Sequence, residues 1–363
     1  MQNTDKKVAI IIPALDPDTR LMPYVTRLLD EGFERIILID DGSKDKSNFD
    51  TSGMTPEYQN KVVRLTHYIN LGKGRALKNA FNYFMNMSDA DEYCGAITVD
   101  SDGQHSVEDT VNIRKTLEED DRSLILGMRD FDSENVPFKS RNGNRITRNV
   151  FRLLHGVKLN DTQTGLRAFP KSIIPYFIDL AGERFEYETN MLIFSARNYI
   201  PIKEIPIQTI YENNNSGTHF NPIRDSFAIY KLLFGTFFKY ALSSMFSFVI
   251  DILFFRLGLT ILASIGVEEA GKILYATIAA RIISSICNFL MNRNVVFKSS
   301  EKTWITLIKY YALCIVQMGA SAGLVYLIFS VLPIPETVIK IVVDAFLFII
   351  SFNIQKRFIF KSK

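Results

Sequence analysis

Two carboxylates one residue apart, Asp100 and Asp102, follow the apolar run Ala96–Val99 and lead into Gly103-Gln104-His105. At a strand end such a pair can share one hard divalent cation, and that cation can neutralise a diphosphate. The same triplet also occurs as ordinary loop acids, so its position must decide. Asp40-Asp41-Gly42-Ser43 again sets acids behind an apolar run, Ile36–Ile39. There a carboxylate either caps the following turn or hydrogen-bonds a ribose or base. In Asn70-Leu71-Gly72-Lys73-Gly74-Arg75, two glycines and a lysine open a segment with an apolar face through Ala76, Leu77, Ala80 and Phe84. Glycines ahead of a helix let the backbone approach a phosphate, with Lys73 adding charge. The bland reading is a helix cap with two turn glycines, and the spacing is not that of a Walker loop.

These residues need a scaffold. Val8–Ile12, Ile36–Ile39, Val62–Thr66, Ala96–Val99 and Leu124–Leu126 are predicted strands, β-branched and bounded by turn residues. Between them, Thr19–Asp30, Arg75–Met87 and Val107–Glu119 carry apolar residues at helical spacing. The alternation predicts an α/β fold with a mostly parallel sheet, which binds ligands at the carboxyl ends of its strands. Three cysteines in 363 residues exclude a disulfide framework, and four histidines without a Cys-x-x-Cys argue against structural zinc. The opening run, MQNTDKKVAIIIPAL, reads as a strand and not as a secretory signal. No internal repeat stands out.

The chain is two different objects in series. Residues 1–230 hold 28 Lys/Arg against 33 Asp/Glu, whereas residues 231–363 hold 14 against 6. In the second part Leu232–Leu262, Ile273–Met291, Trp304–Leu332 and Val338–Phe352 are apolar stretches that predict an all-α domain of four membrane-spanning helices. Lys231, Lys239, Arg293, Lys298, Lys302, Lys309, Lys356, Arg357, Lys361 and Lys363 flank one side, and only Lys272 and Lys340 the other. Excess cations mark the cytoplasmic side, so both termini and the first domain are expected in the cytoplasm. Asp251, Arg256, Arg281 and Asp344 fall inside the spans and either pair with one another or line a polar path. Ile223, Phe227, Tyr230, Phe234 and Phe237 recur at helical spacing near Arg224, Lys231 and Lys239, the pattern of an interfacial helix. The expected division is 1–222, an interfacial helix or linker over 223–238, and a membrane domain over 239–363.

The motifs above, with Ile11-Ile12-Pro13-Ala14, Asp161-Thr162-Gln163-Thr164-Gly165-Leu166-Arg167-Ala168-Phe169 and Arg184-Phe185-Glu186-Tyr187-Glu188, resemble in order the family-2 glycosyltransferases of the GT-A fold. The tighter likeness is to polyprenyl-phosphate glycosyltransferases, relatives of dolichyl-phosphate mannose synthase. Residues 232–363 resemble the GtrA-like four-helix family, notably at Asn288–Arg293 and the similar end at Asn353–Phe360.

The resemblance implies roles. Pro13, Ala14 and Asp41 would hold the nucleotide, with Asp16 and Lys73 also on the donor. Asp100 and Asp102 would hold Mg²⁺ or Mn²⁺, with Gln104 as a further contact. Asp161, Gln163, Thr164 and Gly165 would position the sugar, as would Glu186 and Glu188, which with Asp102 form the catalytic set. Arg129, Arg141 and Arg145 would meet the acceptor phosphate, as would His219 and Arg224; a solvated helix face is the alternative for the first three and for Arg148, and anionic lipid for the last two. One departure is Leu15-Asp16-Pro17-Asp18, where the family has Tyr-Asn-Glu or similar.

The implied activity is inverting transfer of one hexose from a nucleotide-sugar to polyprenyl (undecaprenyl) phosphate at a bacterial-type cytoplasmic membrane. UDP-glucose is the first expectation, then UDP-GlcNAc or GDP-mannose. Membrane lipid and a homo-oligomer through the spans are the other expected partners, and nucleic acid is not. A processive polysaccharide synthase is disfavoured because its Gln-x-x-Arg-Trp is missing: the one tryptophan is Trp304. A non-catalytic flippase subunit would not need the Asp-x-Asp pair.

Overall fold

The computed structural model of the chain describes residues 6–130, 138–208, 224–332 and 334–361. It forms two compact units, Met1–Leu233 and Phe234–Lys363.

The first unit is built on seven strands: β1 (Lys7–Ala14), β2 (Arg35–Asp40), β3 (Val62–Thr66), β4 (Tyr93–Thr98), β5 (Leu124–Arg129), β6 (Arg167–Pro170) and β7 (Ile202–Ile207). Their order across the sheet is β3-β2-β1-β4-β6-β5-β7. All pairings are parallel except those of β6, which runs antiparallel to both β4 and β5. The centre of the sheet is buried on both faces, so β1 is apolar and buried from Val8 to Ala14 without alternation. Among the described residues the unit also has seven α-helices: α1 (Leu21–Asp30), α2 (Pro56–Lys61), α3 (Lys73–Met85), α4 (Val107–Glu119), α5 (Phe138–His155), α6 (Ile174–Ile178) and α7 (Glu186–Arg197). Ser106 caps α4 by accepting from the Asp109 amide at 3.0 Å.

The five strands read from the sequence are present, and the sheet is mostly parallel as expected. The sequence reading passed over β6 and β7. β6 is four residues ending in proline, and β7 carries Pro206 at the sheet edge, where a missing N–H is tolerated.

Helix α8 (Arg224–Ser264) runs unbroken for 41 residues, so the segment 223–238 is mostly the start of the same helix that forms the first span. It is followed by α9 (Glu269–Met291), α10 (Thr303–Val331) and α11 (Glu336–Ile354). Among the described residues four segments, Ile229–Ser264, Glu269–Val296, Thr303–Val331 and Glu336–Ile359, are long and apolar enough to cross a membrane. Three of the four ionisable residues named in the spans take charged partners: Asp251 pairs with Arg281 at 3.4 Å and accepts from the Ser284 hydroxyl at 2.8 Å. Asp344 pairs with Lys340 at 2.7 Å and accepts from Ser321 at 2.6 Å.

The two similar segments noted in the sequence, at Asn288–Arg293 and Asn353–Phe360, fold alike. Both α9 and α11 run into a single π-helical turn, Asn292–Val296 and Gln355–Ile359, each followed by a phenylalanine. Phe297 and Phe360 stack with centroids 5.5 Å apart and planes 15° apart. Between the turns the fully buried Asn292 donates to Gln355 Oε1 at 3.2 Å and to Asn288 Oδ1 at 2.8 Å, and accepts from Ser243 at 2.6 Å. Lys239-Tyr240 on α8 and Lys309-Tyr310 on α10 are matched as well: Gln355 donates to the Tyr240 hydroxyl, and the Tyr310 hydroxyl donates to Asn288.

Candidate active site

Strand β4 ends at Thr98, and the chain leaves the sheet beside the antiparallel β6. The change of strand direction there opens the edge where a ligand can reach the strand ends. Asp100 and Asp102 sit in that turn. Asp100 Oδ1 accepts from Lys73 Nζ at 2.7 Å, and its other oxygen is 3.5 Å from His105 Nε2. Lys73 Nζ also lies 2.9 Å from Glu188 Oε1. One ammonium therefore bridges a carboxylate from the sheet and one from α7.

The electrostatics follow. Burial alone would raise the pKa of Asp100, but Lys73 and His105 hold its carboxyl well below the usual carboxylate range. Burial would likewise discharge Lys73, yet the charges of Asp100 and Glu188 keep it protonated, above the ordinary lysine value. Asp102 goes the other way: burial, then the charge of Asp100, push it up. An acidic pair of hard oxygens whose members repel is a fit site for a divalent cation. Among the described residues no three His, Cys, Asp or Glu side chains converge closely enough to hold a metal by themselves. A cation on this pair would complete its shell with ligand oxygens. The Gln104 amide donates to Asp102 Oδ1 at 3.1 Å, closing the turn.

Gly165 explains why Asp100 lies where it does. A Cβ there would overlap the Asp100 carboxylate. The glycine is pinned by Thr98, whose hydroxyl donates to its carbonyl at 2.9 Å. The rest of the turn is self-contained. Asp161, fully buried, accepts from Arg129 Nε at 2.7 Å and Nη2 at 3.2 Å, and from the Gln163 amide at 2.9 Å. Thr164 gives its carbonyl to Arg167 Nε at 2.8 Å.

The other residues named from the sequence divide by what their side chains hold. Asp41 accepts from the amides of Leu71 and Gly72 at 2.9 and 2.8 Å, and meets His67 Nδ1 at 2.6 Å. It organises the glycine loop. Gly72, at φ +102°, and Gly74 have no room for a side chain because the Glu183–Tyr187 backbone packs on them. Asp16, at φ +44°, accepts from the Lys44 amide at 2.7 Å and ties the loop after β1 to the loop after β2. Pro13 and Ala14 end β1, with the Ala14 carbonyl accepting from the Asp41 amide at 2.8 Å. Of the two acids at α7, Glu186 turns back to accept from the amides of Glu183 and Arg184 at 3.1 and 3.3 Å, while Glu188 faces Lys73. Arg141 and Arg148 are half-buried on α5 and Arg145 is exposed there. His219 lies outside the described residues, as does the Arg224 side chain.

Two residues were not singled out from the sequence. His105 is buried beside Asp100, and its place in Asp100–His105, three after the second acid, was the available signal. Arg167 is 1% exposed and donates to the Glu188 backbone carbonyl at 2.8 Å, linking the Gly165 turn to α7. Its charge in an otherwise apolar strand was the clue.

Residues 9–177 match the Glycosyl transferase family 2 description, and residues 239–360 match the GtrA/DPMS transmembrane domain. A UDP-N-acetylglucosamine–dolichyl-phosphate N-acetylglucosaminyltransferase of Methanococcus voltae is 29% identical over 248 residues, 63% of this chain and 96% of that protein. A dolichyl-phosphate beta-glucosyltransferase of Trichomonas vaginalis is 22% identical over 217 residues, 55% of this chain and 65% of that one. Among solved structures, glucosyl-3-phosphoglycerate synthase of Mycobacterium tuberculosis with Mn²⁺, UDP and glucosyl-3-phosphoglycerate aligns at a TM-score of 0.45 and 12% identity, over 63% of this chain and 77% of that chain.

Proposed function

Because the chain is a family-2 glycosyltransferase whose catalytic domain is joined to a GtrA/DPMS transmembrane domain, we propose that it moves one sugar from a uridine diphosphate donor to a polyprenyl phosphate in the membrane. The observation that carries this reading is the cluster of Asp100, Asp102, Lys73 and Glu188 at the β4 end, in a chain with four membrane-spanning segments. UDP-N-acetylglucosamine stands ahead of UDP-glucose as donor. The relative named for the former is the more similar and is matched over nearly its whole length.

The chemistry asked of the protein is positional and electrostatic. A phosphate monoester has a second pKa of about 6, so the acceptor arrives as a dianion and needs no strong general base. Its oxygen forms a bond to the anomeric carbon as the bond from that carbon to UDP breaks, which inverts the centre. Asp100 and Asp102 would hold Mg²⁺ or Mn²⁺, which when bound neutralises the departing diphosphate. Gly165 keeps the Asp100 carboxylate in place, and Glu188 orients the sugar. Arg141 and Arg145 are the candidates for the acceptor phosphate, since guanidinium matches phosphate oxygens well. Arg129 is committed to Asp161 and positions that turn. The excess of cations beside the spans supports a cytoplasmic position for the catalytic domain and both termini.

The test is transfer by the full-length protein in detergent, with polyprenyl phosphate and a panel of labelled nucleotide-sugars. A lipid-linked monosaccharide is expected from one UDP-sugar, abolished by EDTA and restored by Mg²⁺ or Mn²⁺. Absence of lipid product from every donor refutes the proposal, and full turnover in EDTA refutes the role of the metal.

A further inference from the structure

We propose that Lys73 is a resident counter-cation that closes the nucleotide-free site to free divalent metal and releases it to a metal–nucleotide complex. This rests on the donor reading above and concerns the order in which that site fills. Lys73 Nζ lies 2.7 Å from Asp100 Oδ1 and 2.9 Å from Glu188 Oε1, with its side chain 16% exposed. It already occupies the place of a cation between two carboxylates. A divalent ion approaching Asp100 would have to displace this ammonium while facing its charge.

The lysine is held there by the backbone and not by chance. It is the first residue of α3, between Gly72 and Gly74, and both glycines are pressed against the Glu183–Tyr187 segment. The Arg75 amide donates to the Glu183 carbonyl at 3.0 Å, and the Arg75 and Lys78 side chains each pair with the Glu183 carboxylate at 2.7 Å. With the main chain pinned, only the four methylenes of Lys73 are left to move the charge.

A nucleoside diphosphate resolves the conflict in one step. Among the described residues no group of three ligands converges, so a metal held by Asp100 and Asp102 would take further oxygens from outside the protein, which a diphosphate can supply. The same anion offers Lys73 a partner that replaces Asp100. The ammonium then changes from a competitor of the metal to a second clamp on the leaving group, and metal and donor load together.

Mn²⁺ binding to the full-length protein in detergent micelles tests this, read from the free Mn²⁺ signal by electron paramagnetic resonance, with and without UDP. Wild type is expected to bind Mn²⁺ weakly alone and tightly with UDP. Lys73→Met is expected to bind Mn²⁺ without UDP at least about tenfold more tightly than wild type, since a like charge has been removed from the site. Lys73→Arg, which keeps the charge, is expected to stay weak. As a second measurement, Mn²⁺ alone should raise the melting temperature of Lys73→Met and not that of wild type. If Lys73→Met binds Mn²⁺ without UDP no more tightly than wild type, the inference is overturned and the donor reading survives. If wild type fails to bind Mn²⁺ even with UDP, the metal–donor reading itself is refuted and the inference falls with it.

Discussion

Gly165→Ala is the sharpest test of how the site is built, because it adds one methyl group and touches one functional atom set. A Cβ at this position would overlap all three terminal atoms of the Asp100 carboxylate. Ordinary carbon contacts lie near 3.5–4.0 Å, so the carboxylate would have to retreat by on the order of 1 Å. The glycine itself cannot give way cheaply. Thr98 holds its carbonyl at 2.9 Å, and the Leu166 carbonyl next to it accepts from the Gly127 amide at 2.8 Å. Asp100 is a short side chain in the turn beyond β4 and not in the packed core, so the fold should absorb the change with little loss of stability. A misplacement of about 1 Å among reacting groups costs roughly 10²-fold in rate, or ~2.7 kcal/mol of barrier. We therefore expect kcat for sugar transfer to fall about a hundredfold while the melting temperature of the catalytic unit is nearly unchanged. Steady-state transfer with saturating lipid phosphate, beside a circular-dichroism melt, reads both. A Gly165→Ala enzyme with kcat within about threefold of wild type would refute the claim that this glycine sets the position of Asp100.

Three further outcomes follow from the same geometry. Asp161→Asn leaves Arg129 without the charge it is bonded to, and breaking such a buried pair costs about 3–5 kcal/mol; the melt should drop by several degrees, and an unchanged melt would argue for a solvent-facing role for Arg129. Glu188→Gln should lower kcat by about 10²-fold, whereas Glu186→Ala should lose about 1 kcal/mol of stability and keep its rate; equal loss of rate in both would contradict the separation of their roles. Asp40 is buried, and although burial opposes it, Arg64 at 2.6 Å and the Ser43 amide at 2.8 Å hold its carboxyl below the ordinary range. Its contribution to stability is thus complete above the usual pKa of about 3.9 and is lost as pH falls through the lower folded value. The stability gap between wild type and Asp40→Asn, followed by denaturant midpoints, should be wide near neutral pH and close in acid; a gap independent of pH would refute it.

Much of this was legible in the letters because local pattern and tertiary place agree. The acidic pair follows an apolar run of strand type, and β4 does deliver Asp100 and Asp102 to the strand ends. The four spans are legible from length and composition alone. What the letters hide is mutual orientation. Glu186 and Glu188 look equivalent in sequence, yet two residues at the start of a helix point about 200° apart, and only the phase of α7 sends one to the loop and the other to Lys73. Arg129 reads as a phosphate ligand until Asp161, 32 residues on, is folded against it. β6 is too short for periodicity to register and takes its direction from its neighbours.

The paired π-helical turns carry a consequence for biosynthesis. The side-chain amide of Asn292 bonds to Gln355, 63 residues later in the chain. At a translation rate of about 5–20 residues per second, those residues take roughly 3–13 s to make. During that interval Asn292 has Asn288 on its own helix and Ser243 on α8 as partners, and the amide hydrogen that later meets Gln355 has none of these. Each such interhelical bond is worth about 0.6 kcal/mol in a membrane, close to thermal energy, so this one biases the register of the second hairpin without fixing it. A chain halted after α10 would therefore leave one Asn292 amide hydrogen without its Gln355 partner, a mark by which an unfinished membrane domain differs from a complete one.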